Sequence, residues 1–189
     1  MARTVFYTAT TLDGYLADDQ DSLEWLFRQD SDPEGPFRYD EFIAGVGAVV
    51  MGRTTYEWVR AHLQASGEDW PYNMPTWVVT HAELPGIAGA DLRFAQGEVA
   101  PIHAALAEAA GGKDIWVVGG GDLAAQFAEA DLLDQLMVSI APVTLGAGRP
   151  LFPRRFDLEL TDVARNRAFV CATYRVVGPM APSGGGPAS

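Results

Sequence analysis

Cationic side chains are scarce in this chain: 13 lysines and arginines stand against 25 acids, leaving a formal charge of −12, and Lys113 is the only lysine. Nucleic-acid phosphates are bound by clustered lysine and arginine, so this shortage argues against a nucleic-acid surface. An acidic chain still binds a small anion where a few arginines converge with helix N-termini. The only cysteine, Cys171, excludes an intramolecular disulfide, and its strand-like setting "AFVCATYRVV" reads as a buried, inert thiol. His62, His81 and His103 are too scattered for a metal site, and no His/Cys zinc signature occurs. No apolar run reaches the roughly 18 to 20 residues of a bilayer span. "MARTVFYTAT" does not read as a signal peptide, so a cytoplasmic chain with no membrane partner is expected.

What is present is ordinary for one folded domain: 189 residues, 48% hydrophobic and 20% charged. Residues 3–9, "RTVFYTA", read as a first strand, broken by "TLDGYLADDQDS". A short helix is expected in "FRYDEFIAG", then a buried strand "GAVVMG" and a helical pattern in "RTTYEWVRAHLQA". "TWVVTH" is a strand. "APIHAALAEAAGG" is a helix with Pro101 in its first turn and glycines at its end. "DIWVVGG" and "DLAAQFAEA" give another strand and helix. "LLDQLMVSIAPV", "DLELTDVARN" and "AFVCATYRVVG" then follow as three strands without a helix between them. The order predicts an α/β domain over residues 1–177, its central sheet parallel at first and closing with antiparallel strands, and a flexible tail over 178–189. Such sheets place ligands at the carboxyl ends of their parallel strands.

Two strand-to-helix turns there carry chemistry. In "IWVVGGGDLAAQF", Gly119, Gly120 and Gly121 let a ligand approach the backbone, and the helix opened by Asp122 and Leu123 offers unpaired N–H groups to a phosphate. The same glycines also serve a tight turn and close helix–sheet packing, with Asp122 as an N-cap. Gly119, Gly121 and Ala124 satisfy G-x-G-x-x-A, but no acid follows about 20 residues later to hold a ribose, which argues against a Rossmann fold. In "VVMGRTTYEWV", Arg53 adds a fixed charge and Thr54 and Thr55 add hydroxyls at a helix start, a grouping suited to a phosphate monoester or simply a capped helix.

Taken together and in order, "TTLDGYLA", "MGRTTYE", "VVGGG" and "PVTLGAGRPLF" resemble the dihydrofolate reductase-like family, nearest to the branch that holds the reductase domain of riboflavin biosynthesis. The resemblance runs from about residue 3 to 177. It implies a three-layer α/β fold with a mixed sheet, NADPH as cofactor, and reduction of a small pterin-like or aminopyrimidine-like substrate. By the same resemblance, Gly52, Arg53, Thr54 and Thr55 look like the adenosine and 2′-phosphate site. Thr80 and His81 look like its other wall, Gly119 to Leu123 like the pyrophosphate cradle, and Ala9 like a neighbour of the nicotinamide.

The folate enzymes use a carboxylic acid on the helix after the first loop. Asp40 and Glu41 lie closer to "MGR" than that acid does, so the pattern departs from a true folate enzyme. Asp13 is the other candidate, flanking substrate from its "DG" loop or merely making a turn. Trp25, Phe42, Tyr56 and Trp58 are candidate walls for a flat ring, and equally candidates for core. Arg149 is a candidate partner for an anionic substrate group. With no His/Cys zinc signature in these residues, the deaminase domain that often accompanies the riboflavin-pathway reductase is not expected among them. The resemblance further implies a homodimer paired through a closing strand. A non-catalytic nucleotide-binding module of the same fold is the alternative reading.

Overall fold

The computed structural model describes residues 2–181. In chain order the elements are β1 (Thr4–Thr11), β2 (Tyr15–Ala17), α1 (Glu24–Phe27), α2 (Tyr39–Ala44), β3 (Val46–Gly52), α3 (Arg53–Ser66), β4 (Thr76–Val79) and β5 (Leu92–Ala95). They continue as α4 (Val99–Ala110), β6 (Asp114–Gly119), α5 (Gly121–Glu129), β7 (Gln135–Ala141), β8 (Arg149–Pro150), β9 (Phe156–Asn166) and β10 (Phe169–Pro179). Eight strands form one sheet in the order β5-β4-β3-β6-β1-β7-β10-β9, and β2 pairs with β8 in a separate ribbon.

Burial on both faces explains why the middle strands are continuous apolar runs. In β3, Ala48 and Val50 point to one side, where they meet Leu106 of α4 and Phe127 of α5. Val49 and Met51 point to the other, against Tyr56 of α3. All four are fully buried, and each large apolar side chain so placed contributes about 1.5–3 kcal/mol. β6 repeats the division: Ile115 and Val117 face α4 and α5, whereas Trp116 lies on the other side, the side of α3, against Tyr39 and Phe42 of α2. The sheet is therefore the middle of three layers.

The closing strands differ in detail from the expectation. β7 runs parallel to β1, and β10 alone runs against its neighbours β7 and β9. β5 was not legible, because "LRFA" is a short edge strand whose Arg93 and Phe94 are exposed. β10 continues past residue 177, with Gly178 opposite Asp157 and Pro179 opposite Phe156, so the start of the expected tail belongs to the sheet; residues 182–189 of that tail lie outside the described residues. Among the described residues no helix is long and apolar enough to cross a membrane.

Candidate active site

Insertion of β6 between β1 and β3 brings two strand-to-helix turns side by side at the sheet's carboxyl edge. Met51 at the end of β3 is in register with Gly119 at the end of β6. Both following helices start from a glycine with extended backbone, Gly52 before α3 and Gly120 before α5, and neither has a side-chain cap. Their first N–H groups are consequently free for a ligand, at the positive ends of two helix dipoles. A Cβ added to Gly52 would lie 3.7 Å from the Gly120 nitrogen and 3.8 Å from the Gly119 oxygen. The two turns thus face one gap, a hollow of about 290 Å³ lined also by Arg53, Thr54, Thr80, His81, Asp122, Leu123 and Gln126, with Gly97 from a segment that the sequence had not pointed to.

The three consecutive glycines have three different neighbours. A Cβ on Gly119 would meet the Thr55 hydroxyl at 3.1 Å, and one on Gly120 would meet nothing within 4 Å. One on Gly121 would sit 2.3 Å from the carbonyl oxygens of both Pro150 and Leu151. The absence of a side chain at Gly121 is therefore required by packing against β8, while its N–H remains the first of α5. Asp122 is not a side-chain cap either. Its carboxylate is drawn away by Gln126, which donates at 2.8 Å, and by Arg154 at 3.0 Å. Arg53 is exposed, and its Nε donates to Glu57 one helical turn on at 3.1 Å.

Thr54 also lines an adjoining cavity of about 250 Å³, with Ala9, Leu16, Thr55, Trp58 and Val118 among its walls. Beyond Ala9 and Leu26 the cleft opens into a cavity of about 530 Å³ walled by Tyr7, Phe37, Tyr39, Ser139, Phe169 and Cys171. A third hollow, with Trp116 at its side, shares Tyr7, Ala9, Tyr39 and Ser139 with that cavity. Ala9 lines all three. Burial, with Cys171 and Tyr39 nearby, pushes the Tyr7 hydroxyl up to about 12, so it stays neutral while donating to the Phe37 carbonyl at 2.8 Å. Burial likewise raises Tyr72, on the wall near Trp58, and Cys171.

Several expected site residues have other work. The Asp13 carboxylate accepts from the Thr11 hydroxyl at 2.6 Å and from the N–H groups of Gly146 and Leu145 at 2.7 and 3.0 Å. Those bonds tie the first loop to the loop before β8, and no wall of the cleft includes Asp13. Asp40 reaches the rim of the large cavity, but hydrogen bonds from Arg38 hold its carboxyl below the usual range, the opposite of what a proton donor needs. Trp25 is buried with Ala141, Phe169 and Cys171. Tyr56 is wholly buried, its hydroxyl donating to the Pro85 carbonyl at 2.6 Å, and Phe42 stacks on Tyr7 at 4.3 Å. These three aromatics are packing residues. Trp58 does face the cleft. Arg149 sits at the rim, gripped by Asp21 at 2.6 and 3.0 Å, and the nearby Gly148 is needed because a Cβ there would strike the Ala17 carbonyl at 2.1 Å. Tyr7, Tyr39, Tyr72, Ser139 and Phe169 were missed: Tyr39 opens a helix and the others are isolated residues of a strand or loop, all without a local motif.

Comparison with known proteins agrees with this architecture. The family model of the RibD C-terminal domain matches residues 70–168. YwjB of Bacillus subtilis, an uncharacterised protein, is 32% identical over 165 residues, covering 87% of this chain and 88% of its own. The crystal structure of a proposed riboflavin biosynthesis protein from Shewanella sp. PV-4 superposes with a TM-score of 0.78 at 26% identity, over 94% of this chain and 99% of that one. Dihydrofolate reductase of Enterococcus faecalis, solved with NADP(H), shares the fold at a TM-score of 0.54 and 14% identity, over 92% and 96% of the two chains. The chain belongs to the RibD C-terminal domain family and has its reductase-type, dihydrofolate reductase-like fold.

Proposed function

We propose that this chain is an NADPH-dependent reductase that transfers hydride to a C=N or C=O bond of a small pterin-like or aminopyrimidine-like ring. The observation that carries the reading is the juxtaposition of Gly52 and Gly120, two uncapped helix starts facing one gap. That gap fits a pyrophosphate, since main-chain N–H groups hold its charge and no Cβ fills it. Thr80 and His81 close its other side, and Arg53 is placed for a 2′-phosphate, exchanging its exposed bond to Glu57 for a stronger anion. Ala9 leaves room for a flat ring where the three cavities meet. NADPH, when bound, supplies the hydride. The walls given by Leu16, Val118 and Trp58 exclude water around it. With Asp13 and Asp40 both committed to internal partners, the reading delivers the proton from water in the large cavity.

Titration calorimetry with NADPH and NADH tests the cofactor assignment. Arg53→Ala should weaken NADPH about tenfold and NADH less than about twofold, the difference expected of one lost charge-assisted contact. Equal losses for both would remove Arg53 from the 2′-phosphate. The commitment of both candidate acids favours a second reading, a nucleotide-binding module without turnover. NADPH that binds tightly yet is not oxidised with any pterin or pyrimidine tried would establish the module.

We also propose that two chains pair through β9. It is an edge strand, and Leu160 and Val163 on it are 54% and 58% exposed, an arrangement that favours strand-to-strand association. Light scattering should give twice the chain mass, reduced to one by Val163→Glu; a monomeric wild type sinks the pairing.

A further inference from the structure

The large cavity beyond Ala9 has aromatic walls and an acidic rim. Asp32, Glu34 and Asp40 line it, and no arginine, lysine or histidine does. The hollow beside it has no charged residue. Arg38, on the same segment, is already bound to two of those carboxylates, 3.0 Å from Glu34 and 2.8 Å from Asp40. Arg149, at the rim of the adjoining cavity, is held by Asp21 through two bonds. Nor can the rim simply swing aside. The buried Asn166 accepts from the Asp32 N–H at 2.8 Å and donates to the carbonyls of Asp32 and Pro36 at 2.9 and 3.0 Å. One residue on, Arg167 pairs with Asp30 at 2.9 Å.

A phosphate entering this half of the cleft would meet three carboxylates and only arginines that are already paired. Like charges set against one another reject a ligand more strongly than they weaken a neutral one of the same shape. From this, and resting on the reading of the cleft given above, we infer that the substrate is a flat ring that is uncharged or positively charged and carries no phosphate. The aromatic walls supply stacking; the Tyr7 oxygen, its proton already given to the Phe37 carbonyl, accepts from a ring N–H or amino group, and the Ser139 hydroxyl donates or accepts. The acidic rim favours an amino-substituted or protonated ring. A ribosyl phosphate would have to leave the cavity entirely or unpair Arg38.

The test uses the full chain with and without saturating NADPH, whose own binding is measured first, so that loss of the cofactor reading shows separately. The probes are 2,4-diaminopyrimidine, 5-aminouridine and 5-aminouridine 5′-monophosphate. Both unphosphorylated rings should bind, the nucleoside at least about tenfold more tightly than its monophosphate. A monophosphate that binds equally or better, or a failure of both unphosphorylated rings to bind, overturns the inference. The double variant E34Q/D40N removes two exposed carboxylates and frees Arg38, so the preference should narrow to under about threefold. Unchanged discrimination in that variant would assign the rejection to shape and overturn the electrostatic account.

Discussion

Between Thr54 and Ala9 the cleft changes its building material. On the side proposed for the coenzyme the key groups are main chain: Gly52, Gly120 and the first N–H groups of α3 and α5. On the ring side they are side chains gathered from β1, the 31–40 segment, β7 and β10. The first half needs two adjacent strands in register and little else. The second needs distant segments docked correctly, with Asn166 as the fastener. A substitution in the first half therefore acts by adding a Cβ, and one in the second by removing a contact.

The sharpest way to break this contrast is within the glycine turns. Gly121→Ala puts a methyl group 2.3 Å from two carbonyl oxygens. β8 must move, at a cost of about 3 kcal/mol and a fall in Tm of about 10 °C for a chain of this size. Gly52→Ala meets only ordinary contact distances in an extended conformation that alanine adopts. It should change stability by less than about 1 kcal/mol while weakening NADPH about tenfold, because the methyl group narrows the gap between the turns. Thermal melting and calorimetry on the two variants read both effects. If Gly52→Ala leaves NADPH affinity intact, the gap is not the pyrophosphate site.

Asn166→Ala probes the other half. Three hydrogen bonds go, leaving an N–H and two carbonyls of the rim without that partner, for a loss of about 2 kcal/mol. Affinity for 2,4-diaminopyrimidine should fall about tenfold or more, while NADPH affinity stays within about twofold. Parallel losses would mean that the two halves are not independent.

The same contrast decides what could be read from the sequence. A main-chain site announces itself locally, since a strand, a glycine and a helix start are contiguous, and "VVMGRTT" and "VVGGGDL" contain everything their turns use. The continuous apolar runs of β3 and β6 were likewise local, and so were the helices α2 to α5, whereas the single turn α1 was not read. The ring cavity had no such signature: Tyr7 and Ser139 meet because β7 pairs with β1, Phe37 reaches them from the 31–40 segment, and Phe169 arrives because β10 returns beside β7. Residue type alone misassigned the aromatics, for Tyr56 and Trp58 lie on the same helix two positions apart, one wholly buried and the other facing the cleft. Asp13 misled for a related reason. An Asp-Gly loop looks the same whether its carboxylate meets a ligand or the N–H groups of residues more than 130 positions later.

That tie gives the smallest effect, and it separates a structural carboxylate from a substrate-binding one. The Thr11 hydroxyl above all, then Gly146 and Leu145, hold the Asp13 carboxyl below its ordinary range. A carboxyl depressed in the folded state contributes stability that is present above the unfolded value, about 4, and is lost as the pH falls through the lower folded value. Asp13→Asn replaces one acceptor oxygen with a donor facing two N–H groups, so it should melt slightly below the wild type at pH 7. The gap should narrow once the pH falls below the unfolded value and close only below the depressed folded one, where the wild-type carboxyl also loses its charge. NADPH and ring affinities should change by less than about twofold, since no wall of the cleft includes this residue. A melting difference independent of pH would show that the charge is not what fastens the two loops, and a large loss of ring binding would return Asp13 to the substrate.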